Sequence, residues 1–326
     1  MTMKEIAEIA GVSVATVSKL LNNKPNRISA ETRERVLKVV QEYHYTPNSI
    51  AKGLKIKRTN TLGFVLPDIR NPYFSEIGKG IQDELAKHNY GVLFCNTDND
   101  MKKEESALYM LDTKMVDGVI MTQSRSAEYL KNSNLGHIPM VFVDRVPSMF
   151  EGIGTVHINE KKEFYKSTSY LLEHDCKRIA YISAKPLLSN ERLAGYEEAL
   201  AKYQIPFDSD LIYLGEYDVE TGNKGIENIF SDCANVDGVV CGNDLIAIGV
   251  LNWFNENNIK VPSEVKVIGF DDIYISSYLN PKLTTIAQPA YQMGAQAVKM
   301  LLNHINNEAP LEKVELECTL VIRDTV

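Results

Sequence analysis

The stretch Ile6-Ala7-Glu8-Ile9-Ala10-Gly11-Val12-Ser13-Val14-Ala15-Thr16-Val17-Ser18-Lys19-Leu20-Leu21-Asn22 holds two short helical patterns with almost nothing between them. Ahead of it, Thr2 and Glu5 have the spacing of a capping box, in which hydroxyl and carboxylate each satisfy an orphan amide. Ile6, Ile9 and Ala10 share one helical face, and Gly11 supplies a left-handed exit. Ser13 caps the second run, whose Val17, Leu20 and Leu21 face inward. Only Val12 separates that glycine from that serine, so the helices meet across a sharp turn, a helix-turn-helix spacing. A third helix is predicted after Ser29, with Val36, Val39, Val40 and Tyr43 as its buried stripe. The second helix is left with a face of small or polar residues: Val14, Ala15, Thr16, Ser18, Lys19 and Asn22. Such a face lets a backbone approach the major groove of DNA, where Lys19 reaches guanine acceptors or phosphate.

Charge is divided along the chain. The whole carries a formal net charge of −8, which alone argues against a nucleic-acid partner. Residues 1–58, however, hold 11 Lys+Arg against 5 Asp+Glu, and the remainder 24 against 38. A basic head on an acidic body is the expected reading. Next comes Tyr45-Thr46-Pro47-Asn48-Ser49-Ile50-Ala51-Lys52-Gly53-Leu54-Lys55. Thr46 suits an N-cap and Pro47 the first helical position, but two turns interrupted by Gly53 form a helix only when packed against something.

At these residues the sequence strongly resembles the lactose/galactose repressor (LacI/GalR) family. The resemblance rests on IAEIAGVSVATVSKLLN with its SxATVS signature, on Tyr45-x-Pro47-Asn48 and on Leu54, and it continues along essentially the whole chain. It implies that Val14, Ala15 and Lys19 read bases, while Thr16, Ser18, Asn22, Tyr45 and Asn48 position the DNA backbone. It also implies that Leu54 wedges into the minor groove beside its counterpart from a second subunit, on a pseudo-palindromic double-stranded operator. The wedge costs unstacking that the bent duplex offsets by meeting more protein. Gly53 departs from the family, which more often has a better helix former there.

From Thr61 onward, short apolar runs alternate with amphipathic stretches. The runs are TLGFVLP, GVLFCN, DGVIMTQ, MVFVD, RIAYIS, LIYLGE, GVVCGN and VKVIGFDD; helices are predicted near 75–88, 104–115, 161–174, 191–203 and 245–257. Continuous apolar strands predict parallel sheets covered on both faces, and the length predicts two similar lobes meeting at a cleft. The fold class is therefore an all-α helix-turn-helix head on an α/β core of two doubly wound parallel-sheet lobes. The resemblance implies the same core, similar to a sugar-binding periplasmic receptor, with crossings near Asn159, Gln288 and Val314. The expected domains are a DNA-binding unit over 1–45, a hinge helix and linker over 46–58, and an effector-binding and dimerisation unit over 59–326. One lobe would take about 60–158 and 289–314, the other 159–288 and 315–326.

Ligands of parallel sheets sit beyond the carboxyl ends of the strands. The polar residues ending those runs are Asp98, Asp144-Arg145, Asn243 and Asp271; Asn71, Tyr73 and Phe74 follow the first strand, and Arg192 and Tyr217 lie in later loops. Carboxylates, amides and arginines pair with sugar hydroxyls, and an aromatic face covers the apolar side of a ring. The resemblance adds Gln288 in TTIAQP, supports Arg192, Asn243 and Asp271, and makes Tyr217 a stacking aromatic.

Enzyme signatures fail their context tests. Gly78-Lys79-Gly80 lies in a helical stretch without a third glycine, and GxxxxGK[ST], GxSxG and HExxH do not occur. Asp271-Asp272 would point to opposite faces of a strand. The six histidines and five cysteines show no metal spacing, so neither metal nor cofactor is expected, and the cysteines read as small buried residues in a reducing cytosol. No apolar run suits a membrane span and the N-terminus lacks a leader pattern, so a cytoplasmic protein is expected. No heptad tail follows the last strand, which favours a homodimer over a tetramer. The expected function is a repressor of sugar-utilisation genes, controlled by a small sugar or sugar-acid effector. The alternatives are a corepressor-type regulator answering to a nucleobase or a phosphoprotein, and a sugar-binding receptor.

Overall fold

The computed structural model describes residues 1–21, 28–45, 58–126, 129–130, 137–145, 153–186, 190–232 and 235–326. Asn22, Asn48, Leu54 and nearly all of the 46–58 hinge lie outside the described residues. The chain divides into two compact units, Met1–Thr59 and Asn60–Val326.

The first unit has helices α1 (Met3–Ile9), α2 (Val14–Leu21) and α3 (Ala30–Glu42). Thr2 and Glu5 form the capping box, with Thr2 N–H donating to Glu5 Oε2 at 2.8 Å and Glu5 N–H to Thr2 Oγ1 at 3.3 Å. Gly11 takes φ +62° just past α1, and Ser13 Oγ accepts the Thr16 N–H at 3.1 Å to start α2. The core is Ile6, Ala7, Ala10, Val17, Leu20, Val36 and Val39. Two expectations need correction: Ile9 and Tyr43 are 49% and 45% exposed. Ala7 takes the inward place of Ile9, and Tyr43 is the C-cap of α3, past the last packed turn. Arg35 Nε donates to Ala10 O at 2.9 Å, tying α3 to the end of α1.

Among the described residues the second unit contains two six-stranded sheets. Strands β1 (Thr61–Leu66), β2 (Gly91–Asn96), β3 (Gly118–Met121), β4 (Met140–Val143), β5 (Gly154–His157) and β11 (Lys313–Glu315) form the first, in the order β11-β5-β4-β3-β1-β2. The second comprises β6 (Ile179–Ala184), β7 (Ile212–Gly215), β8 (Gly238–Cys241), β9 (Lys266–Asp271), β10 (Thr284–Ala287) and β12 (Thr319–Val321), in the order β12-β10-β9-β8-β6-β7. The chain passes between the sheets after β5, after β10 and between β11 and β12. Among the described residues nine of the ten strand pairings are parallel, in keeping with the buried apolar runs of β1, β3, β4, β6, β8 and β9. There are two departures. β12 pairs antiparallel to β10, and β2, at a sheet edge, leaves Phe94 42% exposed despite its apolar run.

The covering helices are α4 (Pro72–Lys87), α5 (Met101–Thr113), α6 (Glu160–Glu173), α7 (Glu191–Lys202), α8 (Val219–Asp232), α9 (Asp244–Glu256) and α10 (Ala290–Asn307). Gly78 and Gly80 lie inside α4 as packing residues: a Cβ at Gly80 would fall 2.1 Å from Tyr291 O, and one at Gly294 2.2 Å from Ile77 O. The α4 and α10 backbones thus touch where only glycine fits. Gly195 seats α7 on α6 in the same way, with Lys161 O 2.2 Å from the missing Cβ. Asp271 and Asp272 point apart as expected, the first to Gln288 and the second to Arg323, 2.7 Å away. The described cysteines Cys95, Cys176, Cys241 and Cys318 are free and buried. Among the described residues no helix is long and apolar enough to cross a membrane.

Candidate functional site

In the first unit, burying Val17 and Leu20 turns the opposite face of α2 outward. Val14 is 44% exposed, Ala15 and Lys19 are exposed, and Thr16 and Ser18 are half-buried. Thr16 Oγ1 lies 2.9 Å from Ser13 Oγ, so this hydroxyl also serves the helix start. Tyr45 packs part of its ring on the head's core, and its N–H donates to Val40 O at 2.9 Å. A short-side-chain helix face with an exposed cation is suited to lie in a major groove.

In the second unit, all eleven residues singled out from the sequence line one cleft of about 420 Å³ between the sheets. Parallel pairing places the carboxyl ends of β1, β4, β6, β8 and β9 at a common edge, and the residues just past those ends converge there. Several also hold the chain in place. Asn71 caps α4, its Oδ1 accepting the Tyr73 N–H at 3.1 Å, and Asn243 caps α9 through the Ile246 N–H at 2.9 Å. Asp98 stands at the rim, 46% exposed and bonded to Lys103 and Asn96.

Buried polar groups form two networks. In one, the Tyr73 hydroxyl donates to Gln288 Oε1 at 3.2 Å, and Gln288 Nε2 donates to Asp271 Oδ1 at 2.7 Å. In the other, Arg192 Nε and Nη2 reach Glu160 Oε1 at 2.7 and 2.5 Å, and Nη1 reaches Gly242 O at 2.5 Å. Aromatic rings cage that guanidinium, with Phe270 at 4.9, Tyr217 at 5.1 and Phe164 at 5.4 Å. Arg145 lies over the Tyr217 ring at 4.5 Å, with Asp144 Oδ2 3.9 Å away. Oδ1 of Asp144 is buried with no hydrogen-bond partner among the described residues. Asp144 and Asp271 both hold left-handed backbone, φ 77° and 114°, a conformation that costs free energy and concentrates at binding sites.

Burial raises the Asp271 carboxyl well above its ordinary range, and the Asp244 charge behind it adds to the rise. Burial raises Asp144 as well, against the pull of Arg145. Burial also opposes the Glu160 charge, but Arg192 and Arg145 overcome it and hold that carboxylate below its usual value. The cleft therefore offers hydroxyl donors, carboxylate acceptors and guanidinium edges beside an aromatic face, a set matched to a polyhydroxylated molecule.

Sequence reasoning missed Glu160, Gln123 and Asn190. Gln123 follows β3 and could have been found by the strand-end rule. Glu160 had only its place behind Asn159, at a crossing, to mark it. With these residues the cleft extends into a second chamber of about 350 Å³ that shares Asp144, Arg145, Arg192 and Tyr217 as a wall. Among the described residues no group of three or more His, Cys, Asp or Glu could hold a metal ion.

A helix-turn-helix unit with an open recognition face, joined to a two-sheet receptor core with a polar cleft, defines a ligand-responsive DNA-binding regulator. A family model described as "Bacterial regulatory proteins, lacI family" matches residues 2–48, and one described as "Periplasmic binding protein-like domain" matches residues 168–326. The chain is 38% identical over 312 residues to the HTH-type transcriptional regulator RegA of Clostridium saccharobutylicum, covering 94% of this chain and 93% of that one. The structure of the Lac repressor dimer bound to operator and the anti-inducer ONPF matches with a TM-score of 0.87 and 26% identity, over 100% of this chain and 98% of that one. That of a transcriptional regulator CelR–cellobiose complex matches with a TM-score of 0.76 and 25% identity, over the whole of both chains. The chain belongs to the lacI family of bacterial regulatory proteins. It is a DNA-binding transcriptional repressor of that type, not an enzyme.

Proposed function

We propose that this repressor acts in the cytoplasm as a homodimer on a pseudo-palindromic operator of sugar-utilisation genes, with a small sugar or sugar acid in the cleft as its allosteric effector. Val14, Ala15 and Lys19 read base edges; Thr16, Ser18, Asn22, Tyr45 and Asn48 position the DNA backbone, and Leu54 contacts the minor groove. In the cleft, Asp144, Arg145, Arg192, Asn243, Asp271 and Gln288 bond ligand hydroxyls. Tyr217 and Phe74 cover a ring face, and Asn71, Tyr73 and Asp98 shape the pocket. Closing the lobes on the effector alters DNA affinity; a coupling of about 1–3 kcal/mol, ordinary for allostery, shifts it roughly 5–150-fold.

The observation that carries the effector reading is Asp144, a buried carboxyl on left-handed backbone with an unpartnered oxygen, beside a guanidinium and an open cavity. A buried acceptor left unpaired costs roughly 1–3 kcal/mol, and a ligand hydroxyl recovers it. The operator and dimer of the Lac repressor structure and the cellobiose of the CelR structure lend support. A nucleobase corepressor would stack on the same Phe74 and Tyr217 faces, so the aromatic groups alone do not separate the two readings. Tyr73 is buried and its hydroxyl is committed to Gln288, so the polar groups favour a polyol.

A thermal-shift panel of pentoses, hexoses, disaccharides, uronic acids and purines tests this reading, since a cleft ligand stabilises by mass action. A saccharide should raise the melting temperature and alter operator affinity in a fluorescence titration. A shift from purines alone would replace the sugar reading with the nucleobase one.

A further inference from the structure

The first sheet lays out one wall of the cleft in the strand order β11-β5-β4-β3-β1-β2. Residues past β1 and β2, Asp68, Asn71 and Asp98 among them, line only the larger chamber. His157 at the end of β5, residues 158–161 beyond it, and Glu315 at the end of β11 line only the smaller one. Gln123 after β3 and Asp144-Arg145 after β4 line both. The chambers therefore sit side by side across the sheet, with the ends of its two middle strands between them. Tyr217 and Arg192, from the second sheet's side, complete that boundary.

Length and volume then bear on what fits. Neighbouring strands lie about 4.8 Å apart, so the wall from β1 to β5 measures roughly 14 Å, more than one sugar ring spans. Giving each of a hexose's twelve heavy atoms the ~30 Å³ that a water takes in the liquid, a generous share, allows it at most ~360 Å³. The larger chamber, about 420 Å³, already holds that much, and about 350 Å³ remains beyond the boundary. Ser124, Asn190, Glu191 and Glu315 line this remainder with hydroxyl, amide and carboxylate groups, which suit a second hydroxylated ring. At the boundary itself, Asp144 has a side chain 4% exposed, and its Oδ1 has no hydrogen-bond partner among the described residues. A hydroxyl beside a glycosidic link, in either chamber, is placed to donate to it.

We infer that the effector is a disaccharide, with one ring in each chamber and its glycosidic link passing Asp144. This rests on the reading of the cleft as a sugar-effector site, and narrows it to two-ring ligands.

Calorimetric titration of the full chain tests it with glucose against cellobiose and maltose, galactose against lactose, and xylose against xylobiose. In the series that binds, the disaccharide should be about tenfold tighter than its monosaccharide, the worth of one or two net hydrogen bonds. Glu191→Trp and Glu315→Trp each put an indole at an exposed residue that lines the smaller chamber alone, and both should keep the wild-type melting temperature. Either should remove most of the disaccharide advantage and leave monosaccharide affinity within about twofold. Equal or weaker disaccharide binding by the wild type overturns the inference while the sugar reading stands. So does an advantage that survives both substitutions, or monosaccharide affinity that falls along with it. If no saccharide binds, or if a purine nucleoside binds tighter than every saccharide, both readings fall.

Discussion

The guanidinium of Arg145, from the end of β4 in the first sheet, lies 4.5 Å over the ring of Tyr217, from the loop after β7 in the second. The same ring takes Arg192 at 5.1 Å. One tyrosine thus meets arginines from both lobes. Because Tyr217 is only half-buried, each contact contributes roughly 0.5–1 kcal/mol. Tyr217→Leu should lower unfolding free energy by about 1 kcal/mol in urea titration, and Tyr217→Phe should be nearly neutral. Equal losses in both variants would mean that the hydroxyl, not the ring face, matters.

Lys19 and Val17, two residues apart on α2, should fail in different ways. Val17 is fully buried, so Val17→Ala should cost roughly 2 kcal/mol of stability and weaken DNA binding only through unfolding. Lys19 is exposed, and Lys19→Ala should leave the melting temperature unchanged while weakening operator binding about tenfold. If Lys19 meets phosphate, the log–log salt slope should fall by about 0.9; if it meets a base, the slope holds and sequence preference relaxes. Unaltered operator affinity would remove Lys19 from the interface.

Much of this arrangement could be read from the sequence because its physical causes are local. The capping box at Thr2 and Glu5, the left-handed Gly11 and the apolar runs of β1 to β4 each follow from residues within a few positions. The strand-end rule likewise brought Asp98, Asp144, Asn243 and Asp271 to one cleft, since parallel pairing fixes which ends gather. What escaped depends on tertiary contacts. The antiparallel direction of β12 is set by the final return of the chain, not by Thr319–Val321 themselves. Ile9 looks inward on a helical wheel, but the packing of α3 selects Ala7. Glu160 and Arg192 are 32 residues apart, and no spacing rule links them.

Glu104, on α5, anchors the loop after β3. Its Oε1 accepts from Ser124 Oγ at 2.6 Å and from the Ser126 N–H at 3.2 Å, and its Oε2 from the Arg125 N–H at 3.0 Å. That loop carries Gln123 and Arg125 to the cleft wall. Glu104→Gln turns one acceptor into a donor facing N–H groups, which should cost roughly 1–3 kcal/mol. Affinity for any saccharide that stabilises the wild type should fall with it, by about tenfold in calorimetry. Lost stability with unchanged affinity would confine Glu104 to a structural role.

Asp244 gives the protein a pH signature whose sign can be worked out. It is fully buried; its Oδ1 accepts from Thr285 Oγ1 at 2.6 Å, and its Oδ2 from Ser276 Oγ at 2.6 Å and the Ile273 N–H at 2.9 Å. Burial raises its carboxyl from 3.8 to about 6, outweighing those three donors. The folded chain therefore keeps this proton up to about pH 6, while the unfolded chain releases it near pH 4. Between those values the folded state binds more protons, so the group's contribution to stability declines as pH rises and levels off above about 6. The decline amounts to ~3 kcal/mol at most, because a tenfold change in proton concentration is worth ~1.4 kcal/mol. Asp144 and Asp271, also raised, push the same way, so the wild-type curve alone would not isolate Asp244. Asp244→Asn removes one titration and leaves the others in place. Unfolding free energies measured in urea at pH 4.5 and 7 should differ less in this variant than in the wild type, by about 2 kcal/mol. Parallel pH curves for the two proteins would mean that Asp244 is ionised throughout, its three donors then outweighing burial.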